Sequence, residues 1–265
     1  MKYKMEEYYQ HVADYELVCQ SQSELDIPFW REFIKRYEPT HVLELACGSG
    51  RIGIELLRGS QTFHLEGLDI NEDMLAAYRE KLEHAPDAIK RRVSLHYGDM
   101  CHYDLENKGQ FDLIFLPFNS LGHLYETRQQ LDAFRTTYEH LAPGGRFVVD
   151  IYLPRNISGD SSPQFYLDDV IETADGTYTL VVYSTHQYNR YEQIDHMTYI
   201  HEKFFASGTN ERHLIRLDSR AFFPGELQML FQVAGFEVEG IYGGYAWQPF
   251  ERGTRQIVIG RKPDS

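Results

Sequence analysis

His41-Val42-Leu43-Glu44-Leu45-Ala46-Cys47-Gly48-Ser49-Gly50-Arg51-Ile52-Gly53-Ile54-Glu55-Leu56-Leu57 places an apolar run, a glycine turn and a second apolar run end to end. The first run, 41–45, reads as a buried strand, and Ile52, Ile54, Leu56 and Leu57 read as the apolar side of a helix. Between them Gly48-Ser49-Gly50-Arg51-Ile52-Gly53 matches the G-x-G-x-x-G fingerprint, in which small residues let a ligand approach the backbone at a helix N-terminus. Moving outward, a second strand near 62–69 ends at Asp69, 19 residues after Gly50. A carboxylate there is placed to accept both hydroxyl protons of a ribose. Asn71-Glu72-Asp73 supplies a helix start with acidic groups favoured by the helix dipole, and Met74, Tyr78 and Leu82 then recur every four residues.

The alternation continues downstream. A third strand, Val93–Tyr97, runs into Gly98-Asp99, and a fourth, Phe111–Leu116, is stopped by Pro117. Leu131, Phe134, Tyr138 and Leu141 mark a helix that ends in Pro143-Gly144-Gly145, after which 146–152 reads as a fifth strand. From about 155 to 222 the helical stripes fade and Thr, Tyr, Val and Ile dominate, as in Tyr178-Thr179-Leu180-Val181-Val182-Tyr183, so antiparallel strands are expected there. Pro224-Gly225 then opens a helix with Leu227, Leu230, Phe231 and Ala234 on one side, closed by Gly235, before two last strands near 236–242 and 255–260. No internal repeat is visible. The expected fold is α/β, a Rossmann-like doubly wound seven-stranded sheet with an antiparallel β insertion after the fifth strand. One domain over 1–265 is expected, with an N-terminal helical lead-in (1–40), a core (41–154 and 223–265) and a β-rich cap (155–222).

Composition narrows the function. With 26 Lys+Arg against 40 Asp+Glu the formal charge is −14, which repels a phosphate backbone, and Lys90-Arg91-Arg92 is too short a basic stripe to overcome it. No nucleic-acid partner is expected. No stretch approaches the roughly 18 apolar residues of a membrane span, and the N-terminus lacks a signal-peptide run. Cys19, Cys47 and Cys101 show no paired spacing, which fits a reducing cytoplasm. His186, His196 and His201 are spaced by ten and five, which fits neither a helix face nor a short ligand motif, so no metal is expected. The 19 Tyr and 16 Phe exceed ordinary core needs, and some are expected to line a pocket.

To this point a nicotinamide dinucleotide and S-adenosylmethionine are both open as ligands of the glycine turn. Five stretches in order decide between them. Glu44-Leu45-Ala46-Cys47-Gly48-Ser49-Gly50-Arg51 resembles the first motif of class I S-adenosylmethionine-dependent methyltransferases, and Gly67-Leu68-Asp69-Ile70-Asn71-Glu72-Asp73-Met74-Leu75 resembles their second. Gly98-Asp99-Met100 resembles the third, Phe111-Asp112-Leu113-Ile114 the fourth, and Leu141-Ala142-Pro143-Gly144-Gly145-Arg146-Phe147 the turn before their fifth strand. The resemblance implies S-adenosylmethionine as cofactor and S-adenosylhomocysteine as product. It also implies that Glu44 and the backbone at Gly48 and Gly50 hold the methionyl end, Asp69 with Ile70 the ribose side, and Asp99 and Met100 the adenine, with Leu116 bordering the cofactor at the end of the fourth strand. Asp99 has a second reading as a turn cap, and Met100 as packing. The 9–15 stretch resembles the aromatic lead-in helix of many such enzymes, with Ala13-Asp14-Tyr15 one residue tighter than their common spacing.

Methyl transfer from a sulfonium is an in-line displacement, so most of the catalysis can come from holding the acceptor against the methyl group, and a base is optional. Leu116-Pro117-Phe118-Asn119-Ser120-Leu121-Gly122-His123-Leu124 follows the fourth strand, where an open α/β sheet binds ligands. It lacks the acidic or amide residue followed by two prolines and an aromatic found in many amino-methyltransferases of nucleic acids and of protein glutamine. It is similar instead to the corresponding stretch of small-molecule methyltransferases, including sugar N-methyltransferases. The expected function is therefore transfer of a methyl group to a nitrogen or oxygen of a small-molecule acceptor. His123 is the candidate base or acceptor-orienting group, since an imidazole titrates near neutral pH, and packing is its other reading. Tyr152 is a candidate to face the acceptor or the sulfonium, or else to pack in the core. The cap is expected to shape the acceptor pocket, and a homodimer through it is a further expectation. An NAD-dependent oxidoreductase and a non-catalytic S-adenosylmethionine-binding module are the alternatives.

Overall fold

The computed structural model describes Tyr9, residues 12–154 and residues 165–264. The apolar run at 41–45 forms β1 (His41–Leu45), with every residue after the first buried. Strands of a parallel sheet covered on both faces are apolar on both faces, and β2 (His64–Asp69) shows the same pattern. The chain continues through β3 (Val93–Tyr97), β4 (Phe111–Leu116) and β5 (Leu141–Tyr152). Four long strands follow, β6 (Phe165–Glu172), β7 (Tyr178–Asn189), β8 (Ile194–Phe205) and β9 (Asn210–Arg220), and then β10 (Glu237–Tyr242) and β11 (Arg255–Arg261). Seven of these form one sheet in the order β10-β11-β5-β4-β1-β2-β3, and β6 to β9 form a separate antiparallel sheet in chain order. In the large sheet β1 to β5 run parallel, while β11 is antiparallel to β5 and to β10. The chain reverses direction across the sheet between β1 and β4, and the crevice outside the carboxyl ends of those strands is where such a sheet takes a ligand.

Among the described residues the α-helices are α1 (Val12–Tyr37), α2 (Arg51–Gly59), α3 (Glu72–Glu83), α4 (Asp87–Lys90), α5 (Thr127–His140) and α6 (Pro224–Val233). Asn71 caps α3 as its sequence suggests, its side chain accepting from the amides of Asp73 and Met74. The fifth strand begins earlier than the expected 146. Leu141 already pairs with Phe111, the ladder then jumps to Leu113 opposite Arg146, and the Pro-Gly-Gly segment is absorbed as an irregularity with Gly144 at φ 78°. The helix stops at His140, ahead of the expected Pro143-Gly144-Gly145, and Leu141, expected on its apolar side, is already strand, so the Pro-Gly-Gly segment lies inside β5.

Two apolar layers cover the seven-stranded sheet. Leu43, Leu45, Ile114, Phe147 and Val149 pack with Phe134 of α5 and Phe231 of α6. Val42, Phe115, Val148 and Ile257 pack with Trp30 and Phe33 of α1 and with Leu56 and Leu57 of α2. The alternation of neighbours along β1, β4 and β5 between the two clusters is the period-2 geometry of a strand. The chain divides into two compact units, Ser23–Leu153 with Phe222–Ser265, and Met1–Gln22 with Pro154–Ala221, the division falling within α1. The large sheet belongs to the first and the four-stranded sheet to the second.

Candidate active site

The turn between β1 and α2 is built on left-handed backbone at Ala46, Gly48 and Gly50. At Gly50, the N-cap of α2 with φ 78°, a Cβ would lie 2.3 Å from the ring of Tyr78, so α3 packs directly on the turn. The amide of Gly48 donates to Asp69 Oδ2 at 2.7 Å, and that of Asn71 donates to Oδ1 at 2.8 Å. Asp69 thus ties the glycine turn to the end of β2. An ionised carboxylate offers about four lone-pair sites, so after these two bonds it still has acceptor capacity for a pair of hydroxyls. Burial raises its pKa, and the amides of Asn71, Gly48 and Ile70 pull the other way. Ile70 beside it exposes 43% of its surface.

Glu44 is the one acidic residue inside β1. It is 1% exposed, and its Oε2 takes no hydrogen bond. Burial pushes its carboxyl up to about 8, with Arg51 opposing and Asp26 and Asp69 adding to the rise. A buried, half-satisfied carboxylate costs free energy unless a partner arrives, and a primary ammonium is the partner that matches it. The space it uses exists because residue 53 is Gly, where a Cβ would sit 2.8 Å from Glu44 Oε2. The donor set therefore fits the methionyl and ribose ends of S-adenosylmethionine.

At the end of β3, Asp99 Oδ1 accepts from the Cys101 amide at 2.8 Å, so its turn-forming role is realised. Its second oxygen leaves the adenine role open. Met100 is partly buried against the core. Leu116 is 1% exposed within the core, which leaves only its main chain for a ligand.

Beyond β4, Pro117-Phe118-Asn119 leads into a tight 3-10 turn, Ser120–His123. Burial draws the His123 pKa down to about 4, so the ring is neutral at physiological pH rather than titrating near neutrality, because its Nδ1 is shut off from solvent. Tyr152, the last residue of β5, is 47% exposed, which removes the core-packing reading. Its ring carries the Arg255 guanidinium 4.1 Å from the centroid. Arg255 in turn pairs with Asp150 at 2.6 Å, and Tyr245 donates to the same carboxylate at 2.7 Å. Arg51, in the glycine turn, forks onto Asp26 of α1 at 2.8 and 2.6 Å and lies over the Phe118 ring at 5.0 Å.

In the four-stranded sheet, His186 pairs with Asp195 and His196 with Asp218, each at 2.7 Å. Among the described residues no group of three or more His, Cys, Asp or Glu is placed to hold a metal. No helix among them is long and apolar enough to cross a membrane.

Comparison with known proteins fixes the family. A family model described as a methyltransferase domain matches residues 42–145. The dTDP-3-amino-3,4,6-trideoxy-alpha-D-glucopyranose N,N-dimethyltransferase of Streptomyces venezuelae is 30% identical over 208 residues, 78% of this chain and 79% of that protein. The chain belongs to the class I S-adenosylmethionine-dependent methyltransferases, in the branch that acts on small molecules. The methyltransferase shares its fold with solved structures at lower identity. Streptomyces venezuelae DesVI aligns at a TM-score of 0.75 and 22% identity, covering 96% of this chain and 97% of that one. S-adenosylmethionine-bound CalS10, an amino pentose methyltransferase from Micromonospora echinaspora, aligns at 0.69 and 22% identity, with 89% of each chain covered. S-adenosylmethionine is the cofactor of this methyltransferase and S-adenosylhomocysteine its product; neither the dehydrogenase nor the binding-module alternative is favoured.

Sequence reasoning passed over Asp26, Tyr78, Asn119, Asp150, Tyr245 and Arg255. One signal was present: Asp150 interrupts the apolar run Phe147-Val148-Val149-Asp150-Ile151, and a charge inside a buried strand is rare unless paired.

Proposed function

We propose that this methyltransferase transfers its methyl group to the amino nitrogen of an amino sugar carried on a nucleotide. When bound, S-adenosylmethionine supplies an electrophilic methyl on a sulfonium. Glu44 binds the ammonium of the methionyl end, the Gly48–Gly50 turn lines it, Asp69 accepts the ribose hydroxyls with Ile70 beside them, Met100 borders the adenine, and Asp99 accepts from its amino group. The loop after β4 and Tyr152 face the acceptor.

The observation that favours nitrogen over oxygen is the placement of His123 in the loop after β4, half-buried with its Nδ1 shut off from solvent, where desolvation draws its pKa down to about 4. A sugar hydroxyl needs a base matched to the working pH, and the other acidic group at this end, Asp150, is spent on Arg255. An amine brings its own lone pair and needs only to be held in line. The choice of an amino sugar is supported by the Streptomyces venezuelae dimethyltransferase named above. Incubation with S-adenosylmethionine and dTDP-3-amino-3,4,6-trideoxy-α-D-glucose, followed by mass spectrometry, tests it: one or two methyl groups on the nitrogen support the reading, and S-adenosylhomocysteine formation with a hydroxylated acceptor instead opposes it.

Two further parts of the proposal concern assembly and location. The four-stranded sheet presents one face with Phe165, Leu167, Val170, Phe204 and Leu214 each 44–60% exposed, which supports a homodimer through that sheet. Sedimentation velocity at micromolar concentration tests it, and a concentration-independent monomer opposes it. A cytoplasmic location is supported by three buried cysteines that form no disulfide.

A further inference from the structure

The loop after β4 passes through two consecutive non-glycine residues in the left-handed region, Phe118 at φ 52° and Asn119 at φ 63°. Asn tolerates this conformation, but a bulky aromatic rarely adopts it. It persists only where the surroundings over-determine the backbone. Here they do. The Phe118 amide donates to Asp150 Oδ2 at 3.1 Å, and the Asn119 amide to the Asp150 carbonyl at 3.0 Å. Asn119 Oδ1 accepts from the Tyr152 amide at 2.8 Å and from Arg255 Nη2 at 3.1 Å. Asp150 and Arg255 are 0% and 3% exposed, and their pairing through Nε leaves the other guanidinium arm for Asn119.

A buried ion pair is weak evidence for stability, because desolvation offsets most of the attraction. What distinguishes this one is its connections: both members bond to the same two-residue stretch, which β4, β5 and β11 thereby hold from three sides. We propose that Asp150, Arg255 and Asn119 are positioning residues for methyl transfer, locking the Phe118–Asn119 turn, and with it the Ser120–His123 turn, in one conformation at the carboxyl ends of β4 and β5. The proposal rests on the reading that the acceptor is presented by this loop. In-line displacement is sensitive to placement at the scale of an ångström, so a loop released from this clamp loses turnover without losing the cofactor, which is held on the glycine-turn side.

Asn119 is half-buried, so its variants test the clamp without emptying the core. Asn119→Ala removes the acceptor oxygen, Asn119→Gly removes it while keeping left-handed backbone accessible, and Asn119→Asp keeps it. Hydrogen exchange of 117–124 is followed in the S-adenosylhomocysteine complex, with calorimetric affinity for that product and turnover of dTDP-3-amino-3,4,6-trideoxy-α-D-glucose. In the Ala and Gly variants, loop exchange is expected to accelerate about 10-fold or more and kcat to fall about 10- to 100-fold, with product affinity within about threefold of wild type; Asn119→Asp should recover most of both. If wild type fails to methylate this sugar, the acceptor assignment fails, but loop exchange still decides the clamp. Unchanged exchange at 117–124, or acceleration spread equally over the whole chain, overturns the proposal.

Discussion

Cofactor binding at the glycine turn should expel a proton, and Glu44 sets how much of one. Its carboxyl is 1% exposed, and burial pushes it up to about 8. At pH 7 such a group is about nine-tenths protonated. An ammonium brought against its unpaired Oε2 favours the charged form, so binding of S-adenosylhomocysteine at pH 7 should release about 0.9 proton, falling towards zero by about pH 9.5. Calorimetric titration in phosphate and in Tris measures this directly, since the difference in apparent enthalpy scales with protons passed to the buffer. Glu44→Gln, which keeps the shape of the protonated acid, should bind more weakly and release none. One-to-one binding by wild type at pH 7 with no proton release would refute the reasoning. The same group acts on stability without ligand. A carboxyl whose folded pKa lies above its unfolded value stabilises fully below the unfolded value, and that contribution is lost as pH rises through the folded one. Unliganded wild type should therefore lose on the order of 4 kcal/mol between about pH 4.5 and 8 from this residue, a slope that Glu44→Gln flattens in urea unfolding.

Three other outcomes follow from the site. Gly50→Ala meets both a φ of 78° and the Tyr78 ring at 2.3 Å, so chemical denaturation should show a loss of about 2–4 kcal/mol; a loss under about 0.5 kcal/mol contradicts the close packing of α3 on the turn. Arg51→Met strips the counter-ion from Asp26, which is fully buried, and should cost about 3–5 kcal/mol, with part recovered on adding Asp26→Asn; a double variant no more stable than the single one opposes the pairing argument. With His123 at about 4, the pH dependence of kcat/KM should carry the acceptor amine's limb but no imidazole limb near neutrality. A bend near pH 6.5 that vanishes in His123→Asn would assign that residue the proton transfer.

The parallel part of the fold was readable because its signal is local. β1 and β4 begin and end where the apolar runs do, since each is buried on both faces, and β3, half-exposed at the sheet edge, is closed by Gly98. The glycine turn, Asp69 and Glu44 were readable for the same reason, lying within one strand–turn–helix and the strand after it. The four-stranded sheet was foreseen only as a type of structure. Its strands mix polar and apolar residues on one face, as with Glu202 and Phe204 of β8, which blurs the alternation that marks strand ends. The pairing of Asp150 with Arg255 was beyond reach, because 105 residues separate them and no period in the sequence links one to the other. His123 was legible as a loop imidazole, but the desolvation that draws its pKa down was not. A sequence places an imidazole in a loop; only packing decides whether water reaches it.

The central claim is that the glycine turn with Asp69 is the S-adenosylmethionine site of a methyltransferase. Calorimetric titration of S-adenosylhomocysteine into wild type and Asp69→Ala tests it most directly, because it needs no acceptor. The account predicts one-to-one binding at micromolar concentration in wild type. In the variant it predicts binding weaker by about 10-fold or more, since a charged acceptor of hydrogen bonds is worth about 1.5–3 kcal/mol and the Gly48 amide loses its partner. No binding by a folded wild-type sample, or the same affinity in both proteins, would contradict it.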